Sequence, residues 1–94
     1  MIHKITICGI PHTIEYVSDV FQSDTMHFGM LSPEECKIYI NRGMPEAMQE
    51  ETLMHEILHA IFLHTGKMEY YDDEELIQSL ANALHTCLQV RGLK

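Results

Sequence analysis

An α+β fold, in which N-terminal β-hairpins form a small sheet followed by two packed helices, is predicted by three features of the chain. Residues 2–17 and 26–41 alternate apolar and polar side chains in short runs broken by turn residues, the period of half-buried strands. Residues 45–64 repeat apolar side chains at helical spacing, and a second helical pattern follows Gly66. With 94 residues, 46% of them hydrophobic and only five Gly and three Pro, the chain is expected to fold as one domain over 1–94. Its core is adequate but thin, so a bound metal would help it.

The first hairpin is expected to pair a strand from Ile2 to Cys8 with one from His12 to Val17, which resumes the alternation through Thr13, Ile14 and Tyr16. Gly9, Ile10 and Pro11 are read as its turn. Residues 18–25 are polar and acidic around Val20 and Phe21, a short helical turn or a loop. A second hairpin runs from Met26 to Leu31, turns at Ser32, Pro33, Glu34 and Glu35, and returns from Cys36 to Asn41. In its second strand Ile38 and Ile40 share one face and Lys37, Tyr39 and Asn41 the other. That strand precedes the first helix and is read as a sheet edge on which an extended peptide could add.

Arg42, Gly43 and Met44 end the strand, and Pro45 suits the first position of a helix whose early acidic residues are Glu46, Glu50 and Glu51. Met54, Ile57, Leu58, Ile61 and Phe62 fill a broad apolar arc that Leu53 and Ala60 extend, so this helix should be buried on more than one side. Gly66 stands where a left-handed cap is expected. The second helix should begin near Asp72 as N-cap, with Glu75 completing a capping box. Ile77, Leu80, Ala81, Leu84, Cys87 and Leu88 carry it to about Val90, where Gly92 can end it.

Fourteen acidic against six basic residues give a net charge of −8, which opposes binding to nucleic acid. No apolar stretch approaches the ~20 residues that span a bilayer, and the N-terminus alternates like a strand without a signal-peptide core. A cytoplasmic protein without membrane partners is expected. Cys8, Cys36 and Cys87 are unpaired in spacing, so they indicate neither a disulfide framework nor a cysteine metal site and are read as small buried hydrophobes.

Within the first helix, His55-Glu56-Ile57-Leu58-His59 spells H-E-x-x-H, a zinc-hydrolase signature. Residues i and i+4 lie on one helical face, so His55 and His59 can aim at one Zn2+ ion while Glu56 handles a water proton. A hydrolytic zinc takes three protein ligands and leaves one position open, so a third must come from elsewhere. His64 lies roughly 180° around the helix from His55 and cannot close the site; it is read as a last-turn residue whose cationic form the helix dipole favours. Phe62 and Thr65 stand where a metzincin has Gly and His. His85 lies about 16 Å along the second helix from its first turn. The remaining source is the acidic run Asp72-Asp73-Glu74-Glu75. With Asp72 as cap, Glu75 turned to solvent and Asp73 short by one methylene, Glu74 is the expected ligand. Tyr70, Tyr71 and His12 are conceivable donors to an oxyanion.

The segments Thr52-Leu-Met-His-Glu-Ile-Leu-His-Ala-Ile61 and Asp72-Asp-Glu-Glu-Leu-Ile-Gln-Ser-Leu-Ala-Asn82 resemble the small H-E-x-x-H proteins of bacteriophages and Gram-positive bacteria, the minigluzincins and, more distantly, the ImmA/IrrE metallopeptidases. The resemblance covers about the last half of the chain, and two hairpins before the metal helix fit its order of elements. It implies a zincin-like fold and a phage- or prophage-borne, gluzincin-type zinc metallopeptidase acting on a peptide or protein, with Glu56 as general base. It also implies that Gln78 stands where such proteins commonly have an Asp supporting a zinc histidine, a departure from the acidic type. An inactive zinc-stabilised interaction module is the alternative. A metal nuclease would carry Gly after the first His and a third His six residues after the second, and neither is present.

Overall fold

Seven elements follow one another in a computed structural model that describes residues 3–18 and 28–87: β1 (Lys4–Ile7), β2 (Ile10–Val17), β3 (Gly29–Ser32), β4 (Lys37–Asn41), α1 (Glu46–His64), α2 (Met68–Tyr71) and α3 (Glu74–Cys87). The expectations placed on Ile2, Val20, Phe21, Met26, Leu88, Val90 and Gly92 fall outside the described residues. Among the described residues no helix is long and apolar enough to cross a membrane.

The first turn is Cys8-Gly9 rather than Gly9-Ile10-Pro11. Both residues have positive φ, 52° and 80°, the signature of the two-residue turn whose twist matches a hairpin, and Ile7 pairs with Ile10 directly across it. Pro11 therefore lies in β2. It precedes Thr13, where pairing with β4 begins, so that ladder asks no N–H of it. Cys36, at φ 53°, occupies the turn between β3 and β4. The cysteines are accordingly not buried hydrophobes: Cys8 and Cys87 are exposed and Cys36 half-buried, all three as free thiols.

The sheet order is β1-β2-β4-β3, with the hairpins joined through a parallel β2–β4 pair. The strand read as an edge thus lies inside the sheet, and among the described residues the edge next to the helices belongs to β3. The reason is apolar registry: Ile14 aligns with Ile38 and Tyr16 with Ile40, which completes one buried face, while Glu15 and Lys37 pair at 3.2 Å on the other.

Helix α1 lies between two apolar surfaces. Leu53, Ile57 and Ala60 join Ile7, Ile14, Leu31, Ile38 and Ile40 of the sheet, whereas Leu58 packs with Ile77 and Ala81 of α3. Gly66 (φ 74°) ends the helix: its N–H reaches the Leu63 carbonyl at 3.1 Å and that of Lys67 reaches Phe62 at 2.8 Å, the paired bonds of a Schellman cap. His64, in the last turn, faces the sheet, where its Nε2 meets Nε2 of buried His12 at 3.3 Å. His12 donates its Nδ1–H to the Ile10 carbonyl at 2.8 Å, leaving Nε2 to accept from His64. The pair ties the end of α1 to β2.

Helix α3 starts one residue later than expected. Asp73, not Asp72, is its cap, accepting the Leu76 N–H at 3.0 Å, while Asp72 closes the short α2. Glu75 therefore takes no part in a capping box.

Gly29 sets how closely β3 approaches α1, because a Cβ there would lie 2.6 Å from Thr52 Cγ2 and 2.9 Å from the Tyr39 carbonyl oxygen. Since Tyr39 O belongs to the neighbouring strand, the edge strand itself must move. Gly29→Ala is expected to destabilise by about 1–3 kcal/mol, as overpacking does, with partial recovery in Gly29→Ala/Thr52→Ser. Urea unfolding of the three chains checks it.

Candidate metal centre

The i, i+4 spacing on α1 turns His55 and His59 toward the first turn of α3, where Glu74 is the first helical residue after the Asp73 cap. The two Nε2 atoms are 3.2 Å apart, and Glu74 Oε1 lies 3.1 Å from His55 Nε2 and 3.3 Å from His59 Nε2. These three atoms form a nearly equilateral triangle. Ligands about 2.0–2.1 Å from a tetrahedral centre are separated by about 3.4 Å, so one cation could be bound by all three. They are also the one such group of His, Cys, Asp and Glu side chains among the described residues. Protons satisfy this cluster poorly, since two imidazole nitrogens meet each other as well as the same carboxylate oxygen. Asp72 and Asp73 are engaged in ending α2 and starting α3, and Glu75 is exposed outside the group. The side chains of His55 and His59 are 18% and 10% exposed against 69% for Glu74, so the centre opens to solvent on the α3 side.

His55 presents Nδ1 to Gln78 Oε1 at 2.9 Å, and because that oxygen only accepts, Nδ1 carries the proton. The Nε2 lone pair then faces the centre, the arrangement that support of a ligand histidine requires.

Glu56 is buried beside His55 and accepts the backbone N–H of Leu31. That donor is available because β3 is an edge. The Asn41 N–H bonds the Phe28 carbonyl at 2.8 Å, which turns Phe28, Met30 and Ser32 toward β4 and leaves Gly29 and Leu31 facing the outer side. Burial, joined by repulsion from Glu74 and opposed by the Leu31 N–H, pushes the Glu56 carboxyl up to about 7.

Of the three sequence candidates for an oxyanion donor, Tyr71 stands at the centre, its ring 5.1 Å from that of His59. Burial and then the charges of Glu56, Asp72 and Glu74 raise its pKa, which keeps the phenol protonated. Tyr70 lies against Phe62 and is 41% exposed, and His12 is committed to His64. His85 bonds Glu50 at 3.1 Å, away from the cluster. Two cavities flank the centre along β3: one of about 300 Å3 reaches Phe28, Met48 and Thr52, and one of about 420 Å3 reaches Met30, Tyr71 and Asp72. Sequence reasoning could not find the Leu31 N–H, since a backbone donor has no side-chain signature. The position of Tyr71 depends on α2, whose four residues are too few to show a period.

Compared with protein-family models, curated proteins and solved structures, the chain matches none.

The raised Glu56 pKa has a sign that stability measurements can read. Below its ordinary value of 4.5 the carboxyl is protonated whether the chain is folded or not, and between 4.5 and about 7 the folded chain alone keeps the proton. Stability of the metal-free chain should therefore fall across that window, by on the order of 3 kcal/mol. Glu56→Gln should remove that part of the pH dependence. Denaturant titrations in chelator at pH 5 and pH 8 check it.

Proposed function

We propose that this chain is a zinc-dependent peptidase of gluzincin type with a zincin-like fold, cytoplasmic and phage- or prophage-borne, in which His55, His59 and Glu74 bind Zn2+ and Glu56 is the general base. The observation that carries this reading is the triangle of two imidazole nitrogens and one carboxylate oxygen, 3.1–3.3 Å on each side, with a buried carboxylic acid adjoining it. A zinc ion bound there would acidify a water molecule and polarise the carbonyl of a peptide bond. Glu56, next to the ligand pair, takes the water proton and returns it to the leaving amine. Tyr71 is suited to donate its O–H to the carbonyl oxygen as negative charge develops there. An extended peptide can align with the outer edge of β3 through the backbone groups of Gly29 and the carbonyl of Leu31, whose N–H is held by Glu56. The net charge of −8 speaks against nucleic acid as substrate.

One observation favours the second reading, an inactive zinc-stabilised interaction module. Glu56 has a structural use in accepting the Leu31 N–H, which joins α1 to the edge strand without any chemistry.

Metal analysis should find about one zinc per chain, and His55→Ala and His59→Ala should each lose it. Glu74→Ala should weaken zinc binding strongly, whereas Glu75→Ala should leave it unchanged. Retention of stoichiometric zinc by both histidine variants would move the site elsewhere.

Glu56→Gln should keep zinc and abolish cleavage of a peptide library, because an amide cannot accept the water proton. Equal cleavage by variant and wild type would remove Glu56 from the reaction. Cleavage by neither would favour the interaction module.

A further inference from the structure

We propose that Glu51 is a positioning residue for His55, acting through the side-chain amide of Gln78; the inference rests on the metal reading above. Two i, i+4 pairs face each other across the helices, Glu51 and His55 on α1, Glu74 and Gln78 on α3. Gln78 Oε1 meets His55 Nδ1 at 2.9 Å, and Gln78 Nε2 approaches Glu51 Oε2 at 3.5 Å, a long contact between a donor and a carboxylate.

An amide alone is ambivalent. It can offer histidine either its oxygen or its NH2 group, and the two choices select opposite tautomers. An NH2 group directed at Nδ1 would place the ring proton on Nε2, the atom needed as a metal ligand. A carboxylate only accepts, so Glu51 draws the NH2 end and leaves the amide oxygen to His55. Its charge also polarises the amide, which makes Oε1 a better acceptor and Nε2 a better ligand. The chain Glu51, Gln78, His55 thereby does the work of a carboxylate placed directly on Nδ1. Glu51 lines the smaller cavity beside His55 without joining the ligand triangle.

The test is metal affinity of the whole chain, measured by competition of Zn2+ and Co2+ against a chromophoric chelator, with thermal unfolding to verify the fold of each variant. Gln78→Leu should weaken binding about 10-fold or more, as loss of a ligand's hydrogen-bond partner does, and Glu51→Ala by about 3- to 10-fold, being one bond further away. Glu51→Gln, which can still accept the amide hydrogens, should recover part of that loss. The double variant Glu51→Ala/Gln78→Leu should bind no more weakly than Gln78→Leu, because Glu51 acts only through the amide. Long-range 1H–15N spectra of the metal-free chain should show less Nδ1–H tautomer of His55 in Glu51→Ala, a change that a merely structural role would not produce. An equal loss from Glu51→Ala in both backgrounds would overturn the inference in favour of a through-space charge effect, and no loss in either would overturn it outright. Absence of saturable binding by the wild type would overturn the metal reading and this inference together, and is told apart because the wild type itself fails.

Discussion

The double burial of α1 is the constraint from which the rest of the structure follows. One side of the helix meets the sheet through Leu53, Ile57 and Ala60, and another meets α3 through Leu58. A helix enclosed in this way has only a narrow strip left for polar residues, and those residues face protein groups as much as water. His55, Glu56 and His59 occupy the strip where the outer edge of β3 and the first turn of α3 converge. Buried polar groups need partners, and each of the three has one: Gln78 for His55, Leu31 N–H for Glu56, and Glu74 for His59. The packing that makes the core thus also assembles the centre.

That assembly is stable as a whole while holding one unfavourable group. Burial of Glu56 and repulsion from Glu74, net of the Leu31 hydrogen bond, cost on the order of 3 kcal/mol in the metal-free chain at neutral pH, a sizeable share of the 5–15 kcal/mol typical of a small domain. A side chain chosen for packing alone would not be acidic there. Local departures from the rule that each residue suits its surroundings concentrate at working sites, and Glu56 is the clearest departure on α1. The Leu31 N–H offsets part of the cost, which links the carboxyl to the position of β3 and hence to the space that Gly29 leaves open against Thr52.

Local patterns made much of this legible in advance. The alternation of residues 37–41, the apolar arc of α1, its glycine cap and the spacing of His55 and His59 are all written within a few consecutive residues. Pairings between distant segments left no such mark. The parallel contact of β2 with β4 joins strands from different hairpins, and periodicity cannot report which strand becomes central. His12 and His64 are 52 residues apart, and neither carries a pattern that points to the other. The start of α3 is ambiguous in sequence for a different reason. Asp72 and Asp73 are equally good caps, so the run Asp72-Asp73-Glu74-Glu75 reads sensibly in two registers one residue apart.

The rotational phase of α3 decides which carboxylate faces the histidines. Each step along a helix turns a side chain by about 100°, so a one-residue change of phase exchanges a residue facing α1 for one facing solvent. With Asp73 as cap, Glu74 and Gln78 fall on one face, and both reach His55, one at each ring nitrogen. The elimination that singles out Glu74 leans on Asp72 as cap, and Asp73 takes that place instead, so the position of Glu74 beside the histidines has another cause. Glu74 borders the stripe of Ile77 and Ala81, and burial of that stripe against Leu58 orients α3 whichever aspartate caps it. The apolar face of α3, rather than its cap, is what directs Glu74 toward the two histidines.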